Sequence, residues 1–151
     1  MLTITYFLLT TILTDSSQSN EQLAADYFFK TIWEQKYVNY KSLEFDYVTD
    51  TSIYVGHVYG CKEWNDGARR EIEKIKKIEQ IQLDFKPAGV SIKRTSKSKR
   101  LKLFIGAIFW FGDMYIVQVV VCKPSKFVDH YFIKFDSDDK IIDTCEFNEI
   151  I

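Results

Sequence analysis

Proline, glycine and histidine are scarce in this chain, which has only two prolines, six glycines and two histidines among 151 residues. So little proline and glycine excludes a low-complexity linker. No Cys-x-x-Cys or His-Glu-x-x-His spacing occurs, and neither a glycine-rich phosphate loop nor a Gly-x-Ser-x-Gly motif is present. We therefore expect neither a bound metal nor a cofactor.

A strong charge of one sign is also missing, because 20 basic residues nearly balance 21 acidic ones and leave a net charge of −1. Such a balance gives no overall attraction to nucleic acid or to an anionic membrane. Hydrophobic residues make up 46% of the chain and aromatic residues 16%. This composition argues against disorder, and the length suits one domain with a real core.

The first residues form an apolar segment without charge. Residues 2–13 read LTITYFLLTTIL and are followed by the polar run DSSQSNEQ. A helix that spans a bilayer needs about 20 apolar residues, so this segment is too short. It resembles the apolar region of a signal peptide, although no Lys or Arg precedes it. We expect residues 1–18 to be a signal peptide of an exported (periplasmic or extracellular) protein, and residues 19–151 to form the domain. The alternative is a cytoplasmic protein whose N-terminal segment is a buried strand or helix.

The chain has three cysteines, Cys61, Cys122 and Cys145. An odd number allows one bridge and one free thiol, or three buried thiols that act as small hydrophobic side chains. Cys122 and Cys145 fall on strands that we place two apart, at about 9–10 Å. A disulfide needs Cα atoms within about 7 Å, so we expect this pair not to be bonded.

Hydrophobic periodicity predicts an α+β fold, with an N-terminal helix packed on a curved antiparallel sheet and a second, short surface helix. The helices are expected at residues 21–37 and 68–80. Short strands are expected at residues 43–48, 52–58 and 81–85. An antiparallel meander follows, with strands at residues 89–94, 101–111, 114–122, 127–135 and 141–147.

Two strands of this meander are apolar on both faces. Alternation from Leu101 to Phe111 places Leu101, Leu103, Ile105, Ala107, Phe109 and Phe111 on one face, yet Phe104, Ile108 and Trp110 lie opposite them. A sheet with one solvated face alternates more cleanly. We expect a helix, another subunit or a bound apolar ligand to cover the second face.

The end of the chain, YFIKFDSDDKIIDTCEFNEI, combines an aromatic strand, an acidic turn and an alternating last strand. This pattern resembles the end of NTF2-like (cystatin-like α+β roll) domains and of small secreted bacterial proteins. The resemblance implies a pocket between the first helix and the concave sheet, in a family that includes isomerases, dehydratases, binding modules and many dimers. NTF2-like domains usually have three helices before the main strands, whereas here strands precede the second helix. A plainer helix-on-sheet fold remains the alternative.

Several residue groups are candidates for chemistry. His130 with Glu146 on the neighbouring strand is the best acid–base pair, since Asp129 points to the other face from His130. The walls of an apolar ligand pocket would be Trp33, Phe104, Trp110, Tyr115 and Tyr131. Six basic side chains within ten positions form a candidate anion site: Lys93, Arg94, Lys97, Lys99, Arg100 and Lys102. The acidic run at residues 136–139 lacks the glycine and glutamate of a calcium loop, so we expect a hairpin turn there.

Three functions fit these observations. The first is an exported, non-enzymatic module that binds a small apolar ligand or a protein partner through the apolar face of the sheet, where it could also form a homodimer. The second is a pocket enzyme of the isomerase or dehydratase type, with His130 or a nearby carboxylate as base. The third is an intracellular anion-binding domain that uses the basic hairpin at residues 93–102.

Overall fold

A computed structural model of the chain describes residues 18–50, 61, 80–84, 90–93 and 100–151. These residues form one helix and a seven-stranded, mostly antiparallel sheet. The predicted α+β class is therefore confirmed. The second helix except its last residue, the strand at residues 52–58 and all but the last residue of the expected signal peptide lie outside the described residues.

The helix, α1, has three consecutive segments: α-helical Asn20–Tyr27, π-helical Phe28–Trp33 and α-helical Glu34–Lys36. Ser19 caps it, because its side chain accepts the backbone N–H of Gln22 at 3.2 Å. The face against the sheet consists of Ala24, Ala25, Phe28, Phe29, Trp33 and Tyr37, all buried. Leu23, Tyr27 and Ile32 pack against this core but are only partly buried.

The sheet strands are β1 (Ser42–Glu44), β2 (Ser91–Lys93), β3 (Leu101–Ile105), β4 (Phe109–Phe111), β5 (Met114–Cys122), β6 (Phe127–Phe135) and β7 (Ile141–Ile150). Their order is β2-β1-β3-β5-β6-β7, and β4 also pairs with β5. The predicted meander is confirmed from β3 onward. Its first step is wrong, because β2 does not pair with β3: β1 lies between them, parallel to both. Alternation identifies a strand but says little about its partner when both neighbours are short.

The strand predicted at residues 101–111 is interrupted. Ile105 pairs with Val119, whereas Phe109 pairs with Ile116. Three residues of one strand, 106–108, therefore oppose two of the other, which is a β-bulge. The extra residue reverses which side chains face the helix, so Phe109 lies on the opposite face from Leu101, Leu103 and Ile105. The prediction that all of them share one face was wrong for this reason.

The last three strands follow the predicted bounds closely, and β7 is three residues longer than expected. Gly112 begins the β4–β5 turn at a φ of +64°, a conformation that glycine adopts without steric cost. In the β6–β7 turn, Asp136 accepts the backbone N–H groups of Asp138 and Lys140, each at 2.9 Å. The expected hairpin turn at residues 136–139 is therefore confirmed.

Both faces of the central sheet are buried. α1 covers the face formed by Leu103, Val117, Val119 and Ile133. The second face is also inaccessible in the single chain, with Gln118 and Phe132 fully buried and Ile116, Val120, Val128 and His130 nearly so. A disulfide joins Cys145, which pairs with Phe132, to Cys61, so the chain itself is tied to this face.

Candidate functional site

A groove of about 240 Å³ lies beside β1 and β3. The strand β1, the segment that follows it and β3 supply nearly all of its lining: Glu44, Phe45, Asp46, Val48, Thr49, Asp50, Gln80, Lys102, Leu103 and Phe104. The segment after β1 is held in place by its backbone, since the N–H of Asp50 donates to the carbonyl of Ile105 at 2.7 Å. The hydroxyl of Thr49, which is fully buried, accepts the N–H of Ile81 at 2.8 Å.

Glu44 and Lys102 are the charged pair of this groove. They are neighbours in the parallel register of β1 and β3, and Lys102 Nζ lies 3.4 Å from Glu44 Oε1. The other carboxylate oxygen, Glu44 Oε2, is buried without a hydrogen-bond partner. A buried acceptor without a donor carries a desolvation cost of about 1–3 kcal/mol. The groove is thus lined by apolar side chains and by a residue with one unsatisfied carboxylate oxygen.

A second polar cluster joins the C-terminal end of α1 to the sheet. The hydroxyl of Tyr37 donates to Asp129 Oδ2 and lies 2.7 Å from the hydroxyl of Tyr131. Lys123 Nζ lies 2.5 Å from the same carboxylate oxygen of Asp129. On the other side, Tyr131 contacts Glu146 at 3.4 Å, and Glu146 is paired with Lys36. We call these six residues the helix-end network.

Burial dominates the electrostatics of this network. Tyr37, Asp129 and Tyr131 each expose no more than 3% of their surface. Burial raises the pKa of Tyr37 well above its ordinary value, and the hydrogen bond to Asp129 raises it further. Burial likewise raises the pKa of Tyr131, although its contact with Tyr37 opposes that rise. Both phenols are therefore held in their neutral form, and Asp129 accepts from Tyr37 while Lys123 balances its charge.

His130 lies on the second face, where its ring stacks on Phe147 with centroids 4.5 Å apart. Its Nδ1 lies 3.0 Å from Gln118 Nε2, and its Nε2 lies 3.1 Å from Glu149 Oε1. Gln118 and Glu149 therefore each occupy one of the two ring nitrogens of His130. The carboxylate partner expected from the sequence was Glu146, but Glu146 pairs with Tyr131 and lies on the helix side. The expectation that Asp129 and His130 point to opposite faces is confirmed.

The five expected pocket aromatics do not meet at one place. Trp33, Tyr115 and Tyr131 are buried in the core, with 4%, 1% and 3% of their surface exposed. Phe104 lines the groove, and Trp110 is 55% exposed at another part of the sheet. Of the basic candidates, Lys93 ends β2, Arg100 precedes β3 and Lys102 lines the groove. Arg94, Lys97 and Lys99 lie outside the described residues.

The cysteines divide as one of the sequence alternatives proposed. Cys61 and Cys145 are bonded with a Cα–Cα distance of 5.9 Å, and Cys122 is free. The prediction that Cys122 and Cys145 are not bonded is confirmed. Burial raises the pKa of the Cys122 thiol, and Lys102 only partly offsets this effect. A thiol in this state is a poor nucleophile at neutral pH.

Sequence reasoning did not single out Tyr37, Lys123 or Glu44, which the structure places in these two polar clusters. Tyr37 is the last residue of the predicted helix. A tyrosine hydroxyl that is buried in a core usually has a hydrogen-bond partner, so this residue could have indicated a buried polar contact. Glu44 lies between buried Leu43 and Phe45 on a strand, so alternation predicts an exposed position for its side chain. Its burial depends on the segment that folds back beside β3, which the local pattern does not contain.

Within the described residues, no helix is long and apolar enough to cross a membrane. The same residues contain no group of three His, Cys, Asp or Glu side chains placed to hold a metal ion. Comparison of the chain with protein-family models, with curated proteins and with solved structures finds no match in any of the three.

Proposed function

We propose that this protein is an exported binding module that holds a small, amine-bearing ligand in the groove beside β1 and β3. The observation that carries the proposal is Glu44, which lines the groove and whose Oε2 is a buried acceptor without a donor. An ammonium or amide N–H that reaches this oxygen would form a charge-assisted hydrogen bond. Burial of both sheet faces within the single chain favours the groove over the apolar face as the binding surface.

The apolar part of such a ligand would pack against the wall formed by Phe45, Val48, Leu103 and Phe104. The rest of the lining is polar or charged, with six such residues beside the four apolar ones, which suits a ligand that has a polar as well as an apolar part. The volume of about 240 Å³ is below the roughly 300–1,000 Å³ of sites for drug-sized molecules. The ligand is therefore small, with one ring or a short chain beside its amine.

The disulfide between Cys61 and Cys145 supports the exported location. Structural disulfides form and persist in secreted, periplasmic and extracellular proteins, whereas cytosolic thiols are kept reduced. We also propose that the domain is NTF2-like. The helix that packs across one face of an antiparallel sheet supports this resemblance. Intact-mass measurement of the natively produced protein tests export: a cytoplasmic product that retains residues 1–17 would contradict it.

Benzylamine and benzyl alcohol make a matched pair of probes for the groove, because they share a ring and differ in the ammonium. We expect benzylamine to shift the backbone NMR signals of residues 44–50 and 102–104, and to bind at least tenfold more tightly than the alcohol. At ten times its Kd, a ligand stabilises the fold by about 1.4 kcal/mol, which raises Tm by roughly 3–6 °C.

The variant Glu44→Gln should lose this preference for the amine, since it removes the charge and keeps the shape. Glu34→Gln is the matched control, because Glu34 is exposed on α1 and does not line the groove. Equal binding of the amine and the alcohol would contradict the proposal. So would unchanged amine binding by Glu44→Gln, or the absence of shifts with benzylamine, tyramine and cadaverine alike.

A further inference from the structure

Trp110 is the most exposed aromatic side chain among the described residues, at 55% of its surface. It lies on β4, and its ring centroid is 5.3 Å from that of Tyr115 on β5. Tyr115 in turn stacks on Phe135 of β6, at 4.7 Å and nearly parallel. Tyr115 and Phe135 are each 1% exposed, so the indole rests on a buried aromatic ladder while much of its own surface faces solvent.

Carboxylates lie near the hydroxyl of Tyr115 in this ladder. The hydroxyl of Tyr115 donates to Asp139 Oδ1 at 2.8 Å. The pKa of Tyr115 is raised mainly by burial and then by Asp139, with smaller contributions from the charges of Asp136 and Glu21. Because Tyr115 pairs with Phe135, the β4–β5 turn and the β6–β7 turn end side by side. These two turns carry four acidic residues and one basic residue, Asp113, Asp136, Asp138, Asp139 and Lys140.

We propose that Trp110 is the docking point for an arginine side chain of a partner protein. A cation over the face of tryptophan is attracted by the negative charge of the ring face, and nearby carboxylates strengthen that attraction. The shape of the site selects arginine. A quaternary ammonium is usually held in a cage of several rings, whereas Trp110 presents one open indole. A planar guanidinium stacks on such a surface and can use its remaining N–H groups on a carboxylate.

This site is independent of the proposed ligand groove, since none of the residues that line the groove belongs to the ladder or to the two turns. A failure of one proposal therefore leaves the other unaffected. The proposed arginine site also gives a role to Trp110, whose exposed indole is needed neither by the core nor by the groove.

Titration with the peptide acetyl-Gly-Arg-Gly-Arg-Gly-amide, followed by calorimetry and by the indole N–H signal of Trp110, tests the proposal. The matched probe contains citrulline in place of arginine, which keeps the planar shape and removes the charge. We expect the citrulline peptide and the variant Trp110→Ala each to weaken binding at least about fivefold. Trp110→Phe should retain part of the affinity and shows that any loss is not caused by unfolding. Phe127→Ala, which removes another exposed aromatic at 43% exposure, should leave binding unchanged.

Asp139→Asn adds an electrostatic test, because asparagine tolerates the positive φ of 62° at this position. It should weaken binding of the arginine peptide and reduce the dependence of affinity on salt. Equal binding of the arginine and citrulline peptides would overturn the proposal, as would equal binding by Trp110→Ala and the wild-type protein. Tighter binding of choline than of the arginine peptide would overturn it in favour of a small ammonium ligand.

Discussion

The helix-end network should be a main source of stability, and Asp129 is its centre. Its carboxylate receives the hydroxyl of Tyr37 and the ammonium of Lys123 on the same oxygen, while only 3% of its surface is exposed. The variant Asp129→Ala leaves both donors without this acceptor. Breaking a buried charge pair by removing one partner costs about 3–5 kcal/mol. Lys123 is 28% exposed, so water compensates part of its loss, and we expect a value near 3 kcal/mol.

Tyr37→Phe removes only the hydroxyl from the same network and keeps the ring in the core. A hydrogen bond to a charged group contributes about 1.5–3 kcal/mol, so this variant should cost about 2 kcal/mol. Urea unfolding followed by circular dichroism measures both values as a shift of the midpoint at constant slope. Lys123→Met should also be clearly destabilising, because it leaves the carboxylate of Asp129, which is only 3% exposed, without its cationic partner.

Tyr40→Phe is the control for these measurements, since Tyr40 is 38% exposed and should change stability by less than about 0.5 kcal/mol. A double-mutant cycle of Tyr37→Phe and Asp129→Ala should show a coupling of at least about 1 kcal/mol, because the two groups are in direct contact. The reasoning is refuted if Asp129→Ala costs no more than Tyr40→Phe, or if the cycle shows additivity.

Two further predictions concern pH and redox state. Burial raises the pKa values of Tyr37, Tyr115 and Tyr131 in the folded protein, whereas the unfolded chain ionises near pH 10. Above that pH the unfolded state releases protons that the folded state keeps, so stability should fall as pH rises through about 10. Absorbance at 295 nm should show that at least three of the nine tyrosines ionise only on unfolding. Reduction of the disulfide releases a loop of 84 residues, which should lower the free energy of unfolding by about 4.5 kcal/mol in the chain-entropy description.

Each of these predictions has a clear contrary result. Ionisation of all nine tyrosines as one group near pH 10 in a folded protein would contradict the buried positions of the three phenols. For the disulfide, the double variant Cys61→Ser, Cys145→Ser is compared with Cys122→Ser, which leaves the bridge intact. Equal unfolding midpoints of the two variants under oxidising conditions would show that the bridge contributes nothing.

The strands after the bulge could be predicted from the sequence because each carries its own signals. β5 and β6 are long, apolar and bounded by Gly112, by Pro124 and by the acidic turn, so local alternation and turn chemistry agree. Their pairing then follows from short hairpin connections. β1 and β2 have three residues each, and their parallel pairing with each other and with β3 depends on contacts distant in sequence. No local pattern contains that information.

The candidate sites show the same limit. Alternation correctly separates Asp129 from His130, but the choice of Glu146 as partner for His130 assumes a register that the sequence does not determine. A change of one residue in register moves every side chain to the other face. His130 pairs with Phe147, one residue from Glu146, so Glu146 lies on the other face and Glu149, two residues beyond Phe147, lies on the face of His130. The bulge at residues 106–108 has the same effect on Phe109. The groove could not be predicted at all, because it exists only where the segment after β1 packs beside β3.

The π segment of α1 has a structural reason that connects both ends of the helix to the sheet. At the first turn, Glu21 is 2% exposed and its Oε1 accepts the N–H of Ile108 at 3.1 Å, a backbone donor that the bulge removes from the ladder. At the other end, Tyr37 bonds to Asp129. These residues are 37 − 21 = 16 positions apart, which in a regular α-helix at about 100° per residue places them about 160° from each other.

A helix with that separation could not direct both side chains to one face of the sheet. A π turn closes its hydrogen bond one residue later than an α turn, so it removes roughly one residue from the rotation. Fifteen steps of about 100° leave the two positions only about 60° apart, within one face of the helix. The π segment Phe28–Trp33 lies between the two anchors and therefore lets both contacts form at once. The bulge in the sheet leaves the N–H of Ile108 free of the ladder, and Glu21 accepts it. The π segment lets the same helix also place Tyr37 against Asp129, so the two irregularities fit each other.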